Sequence, residues 1–293
     1  MGMKYVFLLN RFSLKDRLDI VRSLIEKVCK ELDMSYVMEI NSDEVSTEDI
    51  VKKYKGEKVV LCAVGGDGII NRVLNAMDMD NNTLSFIPSG TGNDFYKSCL
   101  EQFEDGLNDC DLVSINDKYF INTCCFGIDA DIANNSDIIH SKLIPKSQRY
   151  NASLLYNFLK YKVKHMIVKI DDEVIDDHFT TVVLCNGKYY GGGYKIGFNS
   201  KLNDDLIDVY LVPKMPKLGM AKLILGMNKG NHEKSEKVKK YHVRKITIES
   251  EKDITCNIDG EELTANKFNA EVKKNKIKIL FNKELIDKIK KST

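Results

Sequence analysis

The chain has 293 residues, 44 Lys+Arg against 43 Asp+Glu, and a net charge of +1; 43% of its residues are hydrophobic and 30% charged. At roughly 150 residues per domain this length suits two domains, and the balance is globular rather than disordered. A protein coated in nucleic acid would be more basic, so nucleic acid is not expected as a partner.

No apolar run approaches the roughly 18 residues of a membrane span. The opening MGMKYVFLLN lacks the length and small-residue cleavage pattern of a secretory leader. Val6 stands where a myristoylation signal following Gly2 would want Ser or Thr. Of eight cysteines, Cys62, Cys124, Cys125, Cys185 and Cys256 sit in apolar strand-like runs, and no CxxC occurs. Reduced core thiols, and hence a cytoplasmic protein, are the expectation.

The first half alternates strand and helix. Lys4 to Leu9 reads as a strand ending at Asn10. Leu14, Leu18, Val21, Ile25, Val28 and Leu32 then recur at spacings of four and three, one apolar helix face. Tyr36 to Ile40 is a second strand, and Ser46, Thr47 and Asp49 open a short helix that ends near Tyr54. Lys58 to Val64 is nearly all apolar, as a strand buried on both faces should be. Gly65-Gly66-Asp67-Gly68 follows it, then the helical stretch IINRVLNAM. Leu84 to Pro88 is another strand, followed by Ser89-Gly90-Thr91-Gly92-Asn93-Asp94 and a further helix. This order predicts a parallel sheet covered by helices.

Past residues 110–120 the pattern changes. Ile254, Cys256 and Ile258 alternate with polar residues, as do Ile277, Ile279 and Phe281. Turns are expected at Asp171-Asp172, Asp259-Gly260 and Lys274-Asn275, so an antiparallel sandwich is predicted here. The tail ELIDKIKK reads as a short amphipathic helix.

Two glycine-bearing loops each leave a strand and enter a helix. Glycine lets backbone approach a phosphate, and a helix N-terminus offers free N–H groups. Neither loop fits GxGxxG or GxxxxGK[ST]. An acid in a phosphate cradle makes sense with Mg²⁺, which bridges carboxylate, water and phosphate. Asp67 or Asp94 alone would be read as a helix cap; the pair points to function.

VGGDGIINRVLNAM followed by IPSGTGNDF resembles the diacylglycerol kinase catalytic-domain family, soluble bacterial lipid kinases related to sphingosine kinases. GGDG is shared with NAD kinases, but PSGTGNDF and the late DGE disfavour that assignment. Further matches follow in order: Asp111 before KYFIN, GIDA from Gly127, CNGKYYGGG from Cys185, KLNDDLIDV from Lys201 and IDGEEL from Ile258. The resemblance covers nearly the whole chain. It implies an α/β nucleotide-binding domain over 1–116, a mainly antiparallel β-sandwich lipid domain over 117–281, residues 282–293 packing back on the first, and an active site in the interdomain cleft. The implied activity is transfer of the γ-phosphoryl group of ATP, with Mg²⁺, to the hydroxyl of a diacylglycerol-like lipid. The implied partners are the lipid and the inner membrane surface, touched peripherally, and a homodimer is compatible with the resemblance.

By the same resemblance Asn10 and Ser13 belong to a first nucleotide loop, and Gly65, Gly66, Asp67, Gly68, Gly90, Thr91, Asn93 and Asp94 to the phosphate loops. Asp67, Asp94 and Asp111 form an acidic network linked to magnesium. The resemblance also implies that Asp204, with Lys201 and Leu206 by backbone carbonyl, holds a structural Mg²⁺, and that Glu261 is the catalytic base, with Asp67 as the other catalytic residue. The chain departs from the family at Arg11, Leu14, Ile69, Ala76 and Asp205, where Pro, Gly, Thr, Gly and Gly are expected. Arg72 replaces an acid and adds a cation that can help hold a nucleotide phosphate. These departures keep open a second reading, a kinase fold that binds lipid or nucleotide without turnover.

Other features read blandly. His140, His165, His178, His232 and His242 lack metal-ligand spacing. Cys124 and Cys125 should face opposite sides of one strand. Gly191-Gly192-Gly193 is expected to be a flexible turn near the lipid entrance. Lys214 to Lys245 carries ten Lys/Arg and two Glu around Leu218, Leu223, Ile224, Leu225 and Met227, a candidate surface for anionic lipid. Loss of the Asp67 carboxylate is expected to abolish activity with little effect on stability.

Overall fold

A computed structural model describes residues 3–90, 92–127, 161 and 163–290. Two compact units divide the chain: Met1–Leu112 with Leu202–Asp204 and Lys273–Thr293, and Val113–Lys201 with Asp205–Val272.

The first unit is built on parallel strands in the order Tyr36–Ile40, Lys4–Leu9, Val59–Gly65 and Thr83–Pro88, with the end of Glu261–Phe281 beside the last (Ile279 opposite Leu84). Position in the sheet explains composition. Val59–Gly65, with neighbours on both sides, is buried at all seven residues, whereas every residue of Tyr36–Ile40 at the edge is only half-buried. Helices Leu18–Glu31, Asp67–Ala76 and Asp94–Gln102 follow strands, and Lys283–Lys290 packs Leu285, Ile286 and Ile289 inward. The apolar stripe beginning at Leu14 does not lie on one helix. Arg11–Leu14 is a separate turn, and Lys15 at φ 47° breaks the backbone before Leu18; each piece still buries part of the stripe, Leu14 in the first and Val21, Ile25 and Val28 in the second.

The second unit is antiparallel. Lys239–Val243, Ile207–Pro213, Glu173–Cys185, Thr123–Gly127, Lys245–Ile258 and the start of Glu261–Phe281 pair in that order, and Lys164–Ile170 bonds to both Glu173–Cys185 and Lys245–Ile258. Residue alternation builds two cores. Cys124, Val182, Leu184, Val209 and Leu211 face one, with Phe126 and Phe268 at 4.9 Å between ring centres. Cys125, Val183, Cys185, Tyr210 and Val212 face the other, beneath helix Lys217–Gly226. Adjacent Cys124 and Cys125 thus point opposite ways, and all eight cysteines are buried and outside any disulfide; burial raises the thiol pKa of Cys29, to about 11, and of Cys62.

Two expected turns are present. Asp171 at φ 49° links Lys164–Ile170 to Glu173–Cys185, and Asp259-Gly260 at φ 50° and 96° links Ile258 to Glu261. Lys274-Asn275 is not a hairpin turn. It lies inside the long strand Glu261–Phe281, where Asn275 adopts φ 45° and its N–H is taken by Asp111 Oδ1 at 2.6 Å. His232 is buried with Nε2 against the Ile196 carbonyl, and His165 and His242 pair with Asp176 and Asp208. His140 and most of the GIDA motif lie outside the described residues. No helix among the described residues is long and apolar enough to cross a membrane.

Candidate active site

Parallel strands place their carboxyl ends together, and the loops that leave them share one edge. Leu9 is level with Val64, and Gly65 with Pro88, so Asn10, Gly66 and Ser89 emerge side by side. The Ser89 N–H donates to the Gly65 carbonyl at 2.9 Å. A Cβ placed on Gly90 would sit 2.6 Å from Gly66 Cα, so the two loops touch backbone to backbone. Asn93, left-handed at φ 52°, clips the second loop by accepting the Gly90 N–H at 3.0 Å and donating to the Gly90 carbonyl at 2.7 Å. Gly90→Ala is expected to push the loops apart and lower nucleotide affinity by about tenfold or more, since an error of about 1 Å in a positioning element is costly. Nucleotide titration by calorimetry checks this.

Asp67 opens helix Asp67–Ala76, and its two carboxylate oxygens accept the N–H groups of Asp94 and Phe95, each at 3.0 Å. It therefore caps the helix of the other loop and locks the two loops together. Burial raises its pKa, opposed by those two N–H donors. The expectation that its loss spares stability is corrected on this point: removing the carboxylate leaves two part-buried donors unmet. Asp94 is buried and ion-paired with Lys97 at 3.1 Å. Gly68 is half-buried in the first turn and Arg72 half-buried further along the same helix. Thr91 lies outside the described residues.

Asn10 caps its own turn. Its Oδ1 accepts the N–H of Phe12 and of Ser13, and Ser13 Oγ returns a bond to the Asn10 carbonyl. Sequence reading missed Asn41, which is buried and accepts the Arg11 N–H at 2.8 Å. It also missed Arg17, whose Nη2 reaches across to the Ser89 carbonyl at 3.2 Å. The signal for Asn41 was its place directly after a strand; Arg17 left none. Ile69, where the family has Thr, is buried, and its side chain covers Gly65: a Cβ there would meet Ile69 Cγ2 at 2.6 Å. Ser89 Oγ is buried without a hydrogen-bond partner among the described residues.

Asp111 is fully buried, accepts the Asn275 N–H and donates its own N–H to the Leu202 carbonyl at 2.7 Å, while Gln102 Oε1 accepts the Leu202 N–H at 2.9 Å. These bonds fix the start of the segment that holds Asp204. Lys201 and Asp204 are exposed and Leu206 is half-buried. Asp205 takes φ 65°, the conformation that explains glycine in the family, and its carboxylate pairs with Arg244 at 2.6 Å. Among the described residues no three His, Cys, Asp or Glu side chains gather as a metal cluster. A carboxylate with backbone carbonyls is nonetheless the hard-oxygen donor type that Mg²⁺ takes, with several waters.

In the second unit, Glu261 is half-buried and is the first residue after the Asp259-Gly260 turn, opposite Ile258. Sequence reading gave Asp259 only a turn. Its buried carboxylate accepts three backbone N–H groups, from Ile121 at 2.7 Å, Asn122 at 3.1 Å and Thr123 at 2.8 Å. Asp259→Ala strands all three and is expected to cost about 3–5 kcal/mol, visible as a lower urea midpoint.

Residues 4–118 match the diacylglycerol kinase catalytic domain, and residues 122–281 match the YegS C-terminal NAD kinase beta sandwich-like domain. The chain is 24% identical over 238 residues to a YegS-like protein of Alcanivorax borkumensis, covering 76% of this chain and 79% of that one. It is 25% identical over 260 residues to a diacylglycerol kinase of Staphylococcus epidermidis, covering 83% and 82%. A crystal structure of a diacylglycerol kinase from Bacillus anthracis superposes with a TM-score of 0.74 at 17% identity, over 96% of this chain and 98% of that one. The glycine loops, the late DGE hairpin and both domain matches agree: the chain belongs to the diacylglycerol kinase catalytic-domain family of YegS-type lipid kinases.

Proposed function

We propose that the protein is an ATP-dependent lipid kinase that phosphorylates the hydroxyl of a diacylglycerol-like lipid. The observation that carries this reading is the contact of the two glycine loops at Gly66 and Gly90, locked by Asp67, which turns two helix N-termini toward one edge of the sheet. The N–H groups at the start of helix Asp67–Ala76, which has no side-chain cap, suit the phosphates of a nucleotide, whereas those of Asp94 and Phe95 are taken by Asp67. The Arg17 guanidinium, which donates to the Ser89 carbonyl, adds a cation at that edge. In the reaction Glu261 takes the proton of the lipid hydroxyl, the hydroxyl oxygen bonds to the γ-phosphorus, and the bond from that phosphorus to the bridging oxygen breaks to release ADP. Mg²⁺, when bound, supplies neutralisation of the phosphate charge. Asp67, Asp94 and Asp111 would hold the network around it, and Asp204 with the Lys201 and Leu206 carbonyls would hold a structural ion.

A second reading, binding without turnover, draws on Ile69: the residue that would present a hydroxyl to phosphate is an alkyl group folded onto Gly65. One assay separates the two. Protein, Mg²⁺ and γ-labelled ATP are offered a panel of hydroxyl lipids in mixed micelles. Label in the lipid extract supports the kinase; nucleotide binding with no labelled lipid across the panel supports the other.

A further inference from the structure

Helix Lys217–Gly226 (KLGMAKLILG) carries no acid and is apolar on both sides. Its inner side is accounted for. Met220 is buried, and Leu223 and Ile224 pack partly buried against the sheet core that contains Tyr210 and Val212. Its outer side is not. Leu218 and Leu225 are each 84% exposed, more than any other large apolar side chain among the described residues. Spaced by seven, with exposed Lys222 between them at the fourth position, they form one outward stripe. An amphipathic surface helix of a soluble protein turns polar residues to water. Two leucines held fully out, at entropic and hydration cost, mark a surface that another phase covers.

Charge decides which phase. Lys214, Lys217, Lys222 and Lys229 are exposed on or next to the helix, and the surrounding segment from Lys214 to Lys245 carries ten Lys/Arg against two Glu. Three of those cations pair with acids, Lys240 with Glu233, Arg244 with Asp205 and Lys245 with Glu271, all of them past the helix. Leucines flanked by lysines whose stems run up to the headgroups is the pattern of a helix lying in the plane of an anionic bilayer. We infer that Leu218 and Leu225 insert into the acyl region of an anionic membrane while Lys214, Lys217, Lys222 and Lys229 sit at the phosphates. The inference rests on the reading that the protein acts on lipid, but it concerns docking rather than turnover.

The chain has no tryptophan, so Leu225→Trp or Leu218→Trp provides a lone indole at an exposed site that tolerates it. On vesicles of phosphatidylglycerol and phosphatidylcholine its emission should shift to the blue and be quenched by brominated acyl chains. Leu218→Glu with Leu225→Glu should weaken vesicle sedimentation by about tenfold or more, with an unchanged thermal transition. Emission unchanged by anionic vesicles, or a double-Glu variant that sediments like the parent, overturns the inference. So does a blue shift that depends on protein concentration without vesicles, which would make the stripe a contact between copies of the chain. Indole insertion with no lipid phosphorylated leaves docking standing and removes the kinase; lipid phosphorylated by a variant whose indole stays in water does the reverse.

Discussion

Asp67→Asn should lower phosphoryl transfer by about 10²–10³-fold, the usual loss when a preorganised polar group is removed from a site where charge develops, and should also lower stability by about 1–3 kcal/mol. The two effects share one cause. The carboxylate accepts the Asp94 and Phe95 N–H groups at 3.0 Å each, so it is the bolt between the loops. In the amide, one oxygen becomes an NH₂ that faces a backbone donor, and one of the two bonds turns repulsive. The helix Asp94–Gln102 then loses part of its cap, and the Gly66–Gly90 contact loosens. Urea unfolding gives the stability term and calorimetry with Mg²⁺-ATP the binding term. A variant as stable as the parent would mean the cap is idle; full activity would remove Asp67 from the site.

Glu261→Gln should behave differently. Glu261 follows the turn at Asp259-Gly260, and that turn is held from behind by the three N–H groups that Asp259 gathers. The side chain thus projects from a fixed hairpin rather than a loose loop. Glutamine keeps the shape and cannot accept the hydroxyl proton. Nucleotide binding should stay within about two- to threefold while the chemical step falls by roughly 10²–10⁴. The split between an unchanged binding constant and a slowed rate is the signature of a base; equal loss of both would point to a structural residue.

The parts of the site that sequence made legible are local. A strand, glycines, an acid and a helix follow one another at Val59–Ala76 and again at Thr83–Gln102, and that order marks the two loops as a pair. What was not legible depends on distant partners. Asp259 looks like any turn residue until residues 121–123 arrive from far along the chain. Asp67 looks like the cap of its own helix, yet its carboxylate bonds to the helix that starts 27 residues later. Lys274-Asn275 was misread because a left-handed Asn suits a turn or a kink in a long strand equally well; the Asp111 carboxylate selects the kink. The substitution at Asp205 became intelligible only with its φ of 65° and its Arg244 partner.

Phosphoryl transfer to a lipid hydroxyl is the step on which the proposed activity turns. ATP whose γ-phosphoryl oxygens carry a heavy isotope, mixed with the protein, Mg²⁺ and a diacylglycerol in micelles, gives the direct test by mass spectrometry of the extracted lipid. The expected product is a lipid phosphate monoester bearing the labelled phosphoryl group, formed at a rate that Glu261→Gln cuts by roughly 10²–10⁴. Unmodified lipid after long incubation with protein shown to bind nucleotide, across diacylglycerols and other hydroxyl lipids alike, would contradict it.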